Sequence, residues 1–328
     1  MKQDLKCLKW NDKKESRRFE FGGKGMTSNY ERKKINENNK ILKQDMSQTA
    51  DRPGSVFVIH LLMEEKCKMP KKELIHKIMR EHFGETDCFC YDGNMAGFAP
   101  KKYSVYFEKE KLNVHPQLII MNCSEIEKPI MDDVAATQLW GCPNGSEILE
   151  TCKYQVMATD MLAAGLDYKE RAEMLVHYVE ALINIYPTCK AVVFETSKKM
   201  LTREEILNCN LPEEMRFIRY AVNIRFFNIQ GTNDMLIDSL GMSTLFLPDI
   251  QYHFHGLNPN DIVNHAYNVL SYIYDNDNPI EDGNTIAGFT NGNMDYDVKW
   301  KVQYEDSLIQ PIREVIDINT GEYASGNR

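Results

Sequence analysis

His253 and His255, in Tyr252-His253-Phe254-His255-Gly256, are the pair whose spacing most directly suggests chemistry. Residues two apart on a strand share a face, so both imidazoles could meet one Zn²⁺ or Fe²⁺ with Asp249 upstream. A working site needs a third ligand, which the fold would have to bring in from His265 or Asp282. Two histidines at a strand end are more commonly surface or hydrogen-bonded residues, so no metal and no other cofactor is expected. Asp160, Glu195 and Asp282 fall near expected strand ends or turns. Gathered together, one carboxyl with a raised pKa and one ionised partner could perform general acid–base catalysis. Asp282-Gly283 is also ordinary turn chemistry. Ser197-Lys198 could pair a hydroxyl nucleophile with a lysine. Thr196-Ser197-Lys198-Lys199 reads more readily as a polar loop leading to a helix cap at Thr202. Trp140-Gly141-Cys142-Pro143 sets an aromatic beside a thiol in a turn. Glu147 and Glu150 lie close by and no base does, so an unreactive thiol is expected, in a loop anchored by Trp140 in the core. Trp140, Ser197 and Asp249 are the residues expected to make binding contacts. Gly22-Gly23-Lys24-Gly25 lacks the spacing and flanking elements of a P-loop, and G-x-G-x-x-G, G-x-S-x-G and H-E-x-x-H are all absent from the sequence.

The elements that must position these residues follow from hydrophobic periodicity. Ser55–Met63 is β-rich and almost wholly apolar, as a central strand should be. A helix is predicted over 71–83, then strands at 87–92, 102–108 and 116–122. Residues 124–152 read as irregular around Gly141-Cys142-Pro143-Asn144-Gly145, with a short helix after it. A strand over 153–159 leads to a helix capped by Asp167 and Glu170 and ended by Pro187. Lys190–Glu195 returns as a buried strand, and Thr202 with Glu205 caps a short helix. Strands are predicted at 217–229, 235–247 and 250–255. Asn258-Pro259 opens the last helix with cap and proline in their preferred places. Strands near 284–289, 298–304 and 312–317 complete the body. The pattern predicts an α+β fold with mixed or antiparallel sheets and helices on one face, which two ferredoxin-like halves would satisfy. The expected division is a flexible basic tail over 1–54, an α+β half over 55–125 and another over 126–328.

Charge and composition limit the functional classes. Of 328 residues, 43% are hydrophobic and 27% charged, which excludes a disordered, collagen-like or coiled-coil chain. Residues 1–54 hold 14 Lys and Arg against 8 Asp and Glu, leaving 25 against 40 in the rest, a net of −15. A body so acidic repels phosphate backbones, so no nucleic-acid partner is expected of it. The apolar runs are too short to cross a bilayer, so no membrane partner is expected. The tail lacks the apolar core of a secretory signal, and Met26 or Met46 could serve as the biological start. Nine cysteines without paired CxxC spacing fit a reducing compartment, so the cytoplasm is expected. Cys88 and Cys90, two apart on a strand, should share one face as packed thiols.

Several stretches carry a family resemblance. They are Ala158-Thr159-Asp160-Met161, Ile185-Tyr186-Pro187, Val193-Phe194-Glu195-Thr196-Ser197-Lys198, Asp238-Ser239-Leu240-Gly241-Met242, Leu247-Pro248-Asp249-Ile250-Gln251 and Glu281-Asp282-Gly283-Asn284-Thr285. In order and spacing, the region 140–289 resembles a bacterial family, domain of unknown function 4261 (DUF4261). The resemblance implies a cytosolic α+β domain and brings no known catalytic residues. With no reactive motif outweighing its structural alternative, the leading expectation is a protein-binding module, immunity-like or accessory. A hydrolase using His253 and His255 with nearby acids is the first alternative, and a small-molecule or peptide sensor the second.

Overall fold

The computed structural model describes residues 57–326; the expected tail over 1–54 lies outside the described residues. Within them the chain forms two compact units, one of residues up to 225 with 239–249, the other of 226–238 with residues from 250 on. In chain order the first unit runs β1 (Val58–Met63), α1 (Lys72–Phe83), β2 (Thr86–Tyr91), β3 (Met95–Pro100), β4 (Val105–Phe107), β5 (Leu112–Val114), β6 (Gln117–Met121) and β7 (Ser124–Glu125). It continues with α2 (Asp133–Thr137), α3 (Gly145–Thr151), β8 (Tyr154–Met161), α4 (Tyr168–Ile185), β9 (Ala191–Phe194), β10 (Lys199–Thr202), α5 (Arg203–Leu207) and α6 (Glu213–Ala221). Then come β11 (Asn223–Asn228), β12 (Met235–Leu240), β13 (Asp249–Phe254), α7 (Pro259–Asp275), β14 (Thr285–Thr290), β15 (Asn293–Asp306) and β16 (Glu314–Asn319). The α+β class predicted from the periodicity is the class observed.

The first unit is built on an eight-stranded sheet in the order β10-β9-β1-β8-β6-β3-β2, with β7 also on β8. All its pairings are antiparallel. Period-2 alternation separates its faces. Leu61 pairs with Val156, Ile59 with Ala158 and Leu118 with Asp160, and these positions share one face. Against that face lies α4, whose Tyr178 hydroxyl donates to the Ile119 carbonyl at 2.8 Å. Helices α1 and α6 flank α4. Side chains such as Ile59, Leu61 and Leu175 are wholly buried, each stabilising the fold by about 1.5–3 kcal/mol over exposure. On the opposite face, Leu62, Ala191, Val193 and Met200 join Met131, Ala135, Cys142 and Cys152 in a second cluster, so the segment carrying α2 and α3 covers that end of the sheet.

Helix signals in the sequence proved dependable where caps were explicit. The Asp167 carboxylate accepts from Lys169 N at 2.9 Å and opens α4. Thr202 and Glu205 form a reciprocal box: Glu205 N donates to Thr202 Oγ1 at 3.1 Å and Thr202 N to Glu205 Oε2 at 2.8 Å. Thr202→Ala should therefore destabilise the first unit by about 1 kcal/mol in thermal unfolding, with Thr202→Ser close to the parent.

Four expectations are corrected. The strand expected from 217 begins at Asn223, because Phe217, Ile218, Tyr220 and Ala221 are buried at helical spacing in α6. The strand expected over 235–247 ends at Leu240 and yields to a 3-10 turn over Met242–Leu245. Gly241 makes the corner with φ +135°, where a Cβ would collide with the Ala221 carbonyl. The strand expected over 102–108 is split, with β3 preceding it and β4 shortened into a separate ladder with β5. Cys88 and Cys90 do not share a face: a bulge sets them opposite the consecutive residues Phe98 and Gly97 of β3.

The second unit carries most of a six-stranded sheet, order β11-β12-β13-β16-β15-β14. Its helix α7 begins as expected, Asn258 capping Asn260 N at 3.1 Å.

Candidate functional site

Asp160 is buried and belongs to structure. Its Oδ2 accepts from Arg171 Nη2 at 2.9 Å and Nε at 3.3 Å, and its Oδ1 from Phe57 N at 3.2 Å. Burial pushes this carboxyl up, and the Arg171 guanidinium and Phe57 amide pull it back. Glu195 sits instead in a surface chain of polar groups. His60 Nδ1 lies 2.7 Å from Gln155 Oε1 and His60 Nε2 lies 3.1 Å from Glu195 Oε2, while Lys198 Nζ donates to Glu195 Oε1. The His60 bond and the Lys198 ammonium, against the opposing effect of burial, hold the Glu195 carboxyl down at about 2. Both ring nitrogens of His60 face oxygens, so the ring is held between Gln155 and Glu195.

Ser197 is fully buried, its Oγ accepting from Lys199 N at 3.3 Å. Lys198, the nitrogen expected beside it, turns to Glu195. The next residue, Lys199, is the buried one: its Nζ donates to the Val222 carbonyl at 2.6 Å, and burial pushes its amine well down. Burial likewise pushes the Cys142 thiol up to about 12, with Glu205 adding to the effect. Trp140 departs from expectation, since it is 63% exposed and does not anchor the loop in the core. Leu139 takes the inward position, against Gly145, beside Met200.

Asp249 is buried in the first unit and organises the corner at Gly241. Its Oδ1 accepts from Ser239 Oγ at 2.6 Å and Met242 N at 3.3 Å, and its Oδ2 from Gly241 N at 3.4 Å. Those bonds tie together two of the motif stretches singled out in the sequence.

In the second unit His253 Nε2 faces Asp234 Oδ2 at 3.6 Å, whereas His255 is exposed with Nδ1 3.1 Å from Ser325 Oγ. Neither belongs to a group of three metal-ligating side chains among the described residues. Asp282 lies in the turn before β14, and its Oδ1 accepts from Tyr304 N of β15 at 2.8 Å. His265 is wholly buried: Nδ1 lies 2.8 Å from the Tyr252 hydroxyl and Nε2 2.8 Å from the Ala287 carbonyl, and burial pushes its ring down to about 4. A buried polar network joins β12, β13 and β16. Arg313 Nη2 donates to Asp238 Oδ2 at 2.9 Å, and Gln251 Nε2 to Asp317 Oδ1 at 3.2 Å and Glu305 Oε1 at 2.9 Å. Arg313 Nη1 also reaches the Pro311 carbonyl at 2.9 Å, so the network pins the loop before β16.

Two features escaped sequence reasoning. One is an open stretch on the sheet face opposite α4. Met157, paired with His60, is 37% exposed, Met161 is 48% exposed and Phe89 is 46% exposed. Phe89 occupies the bulge in β2 and lies over Gly97, which pairs with Ile119, itself paired with Thr159. Methionines at 157 and 161, same-face positions of β8, were the available signal. The other feature is a set of side chains on the helix layer: the ligand atoms of His82, His177 and Glu180 lie within 4.8 Å of one another, as do those of Glu173, His177 and Glu213. Glu173, His177 and Glu180 at helical spacing were readable; their partners on α1 and α6 were not.

Among the described residues, no helix is long and apolar enough to cross a membrane. No curated protein and no solved structure matches the chain. The resembling stretches before Asp238 lie outside the part that a family model matches, and the buried network of Asp238, Gln251, Glu305, Arg313 and Asp317 lies inside it. Residues 238–319 match the family described as Domain of unknown function (DUF4261), the family that the resemblance named.

Proposed function

We propose that the chain is a non-catalytic binding module, accessory or immunity-like, which engages a basic protein partner through the open face of its eight-stranded sheet. The exposure of Phe89, Met157 and Met161 on that face carries the reading. Methionine adapts to a partner's contour, and an aromatic anchor beside it is the composition of an interface core. The polar rim is supplied by Gln155, His60, Glu195 and Lys198, adjoining Met157 on the same face. The net charge of −15 beyond residue 54 favours rapid encounter with a basic surface. Against catalysis stands the use of four candidates: Asp160, Ser197 and Asp249 accept from buried backbone amides, and Asp282 accepts from the Tyr304 amide on β15.

The test is capture of the partner from the source cell with the parent chain and with Met161→Asp and Phe89→Ser. Each substitution is expected to weaken the recovered complex at least about tenfold, with chains still folded by circular dichroism. Affinity should also fall as salt rises. A complex indifferent both to these substitutions and to ionic strength would remove the reading.

A further inference from the structure

The geometry points to a divalent transition-metal site of the Zn²⁺ kind on the helix layer of the first unit, formed by His82, His177 and Glu180. This site is separate from the docking face and independent of it. His82 ends α1, next to its last residue, while His177 and Glu180 project from α4. Their ligand atoms already lie within 4.8 Å of one another, and all three side chains are partly exposed. Zn²⁺ bonds of about 2.0–2.2 Å place tetrahedral ligand atoms roughly 3.3–3.6 Å apart. The remaining gap is on the order of 1 Å.

The donor set is that of a transition metal. Two imidazoles and a carboxylate suit Zn²⁺, whereas Mg²⁺ and Ca²⁺ prefer oxygen alone. The rings stand 6.2 Å apart between centroids at 67°. Burial and the neighbouring His177 push the His82 ring down, against the opposing pull of Glu180 and Glu81. Glu180 is held by Arg216 Nη1 at 2.9 Å and the Tyr220 hydroxyl at 3.1 Å, both on Oε1, which leaves Oε2 for an ion. His82 Nε2 lies 3.2 Å from Asn184 Nδ2, a contact an incoming ion would replace or orient.

Further carboxylates stand behind His177. Its Nε2 is 2.8 Å from Glu213 Oε1 and 3.9 Å from Glu173 Oε1. If the ion takes Nδ1, Glu213 orients the ring from behind, as carboxylates do for metal-bound histidines. An ion on Nε2 would instead meet a second group, Glu173, His177 and Glu213, whose ligand atoms also lie within 4.8 Å of one another, with Glu173 giving up its ion pair with Lys102. In both arrangements one ion bridges separate helices of the layer, which is a stabilising tie.

The experiment is titration of the tag-free, chelator-treated full chain with Zn²⁺, followed by calorimetry, and with Co²⁺, followed by visible absorption. One ion per chain is expected at micromolar affinity or tighter, with a rise in Tm and a Co²⁺ spectrum free of thiolate charge transfer. His177→Ala should weaken binding at least about 100-fold and Glu180→Gln about tenfold or more. His253→Ala with His255→Ala should leave it unchanged. Absence of binding, survival of binding in His82→Asn/His177→Ala, or a thiolate spectrum from the cysteines overturns the assignment. If a variant loses its fold, the Co²⁺ spectrum of the parent chain decides between imidazole and thiolate ligation.

Discussion

Arg171→Met is expected to destabilise the first unit by about 3–5 kcal/mol, the largest effect of any single substitution argued from this structure. Arg171 and Asp160 are both almost completely buried. The guanidinium donates twice to Asp160 Oδ2 and once, through Nη1, to the Thr244 carbonyl at 2.7 Å. Met fills a similar volume, so the loss is chiefly electrostatic. It strands a carboxylate in the core and leaves the Thr244 carbonyl without its donor. Asp160 can escape only by protonating, and burial already pushes its carboxyl in that direction. Asp160→Asn should cost less, because the amide oxygen still accepts from Phe57 N and the stranded charge is then the more adaptable guanidinium. Asp160→Leu combined with Arg171→Met should recover much of the loss, since a buried ion pair replaced whole by apolar groups is often nearly neutral. Urea dependence of hydrogen exchange at β1 and β8 amides reads the effect within this unit. Additive losses in the double variant would mean that the two residues contribute separately and that the paired account is wrong.

The pair also shows where reading the sequence stopped. Asp160 stands out on a strand and Arg171 within the apolar stripe of the following helix, yet nothing local says that the two meet. Elements with local rules were legible. Asp167, Thr202 and Asn258 each cap the helix expected of them, because capping is settled within four residues. Helix α6 was missed although its signals were present: Pro212 before the first turn, Glu213 and Glu214 within it, and Arg219 in the last turn. Phe217, Ile218 and Tyr220 are also residue types that strands favour, and they run without Gly or Pro into β11, so the last turns of the helix read as strand. Trp140 was misplaced for a related reason. Both it and Leu139 are large and apolar, and only the position of Gly145 and Met200 decides which one turns inward.

Candidate chemistry was less legible than the fold because the side chains that meet are distant in sequence. Glu195 finds His60 across 135 residues, and His82 meets His177 and Glu180 of α4 from a different helix. Spacing rules such as the H-x-H pair at His253 and His255 identify a shared strand face but not a third ligand. The fold gives these two different fates, one facing Asp234 and one exposed beyond the strand end. The buried network around Arg313 was equally hidden, although Asp238 and Gln251 belong to the motifs that carry the family resemblance. Those motifs are explained by packing needs: Asp249 holds the Gly241 corner, and Asp238 with Gln251 fastens the loop before β16.

His265 gives the second large effect, a loss of stability in the second unit between pH 7 and 4. Its ring is enclosed by Tyr252, Phe289 and Trp300, with the Trp300 centroid 4.9 Å away. Burial lowers its pKa to about 4, while the bond to the Ala287 carbonyl pulls the other way. An unfolded histidine titrates near about 6.5, so the unfolded chain takes up a proton that the folded ring refuses. Stability is therefore complete above about 6.5 and falls as the pH drops towards the folded value, by about 3 kcal/mol in all. Most carboxylates titrate below this window, which isolates the histidine between pH 6.5 and 4.5. In His265→Gln the amide can still donate to the Ala287 carbonyl but carries no titrating group. The variant should be less stable at pH 7 and nearly flat across the window, so the two curves converge on acidification. Hydrogen exchange at β14 and β15 amides, in a His253→Asn background to remove the histidine beside Asp234, provides the measurement. Parallel curves for parent and variant would mean that the acid sensitivity of this unit comes from groups other than the buried ring.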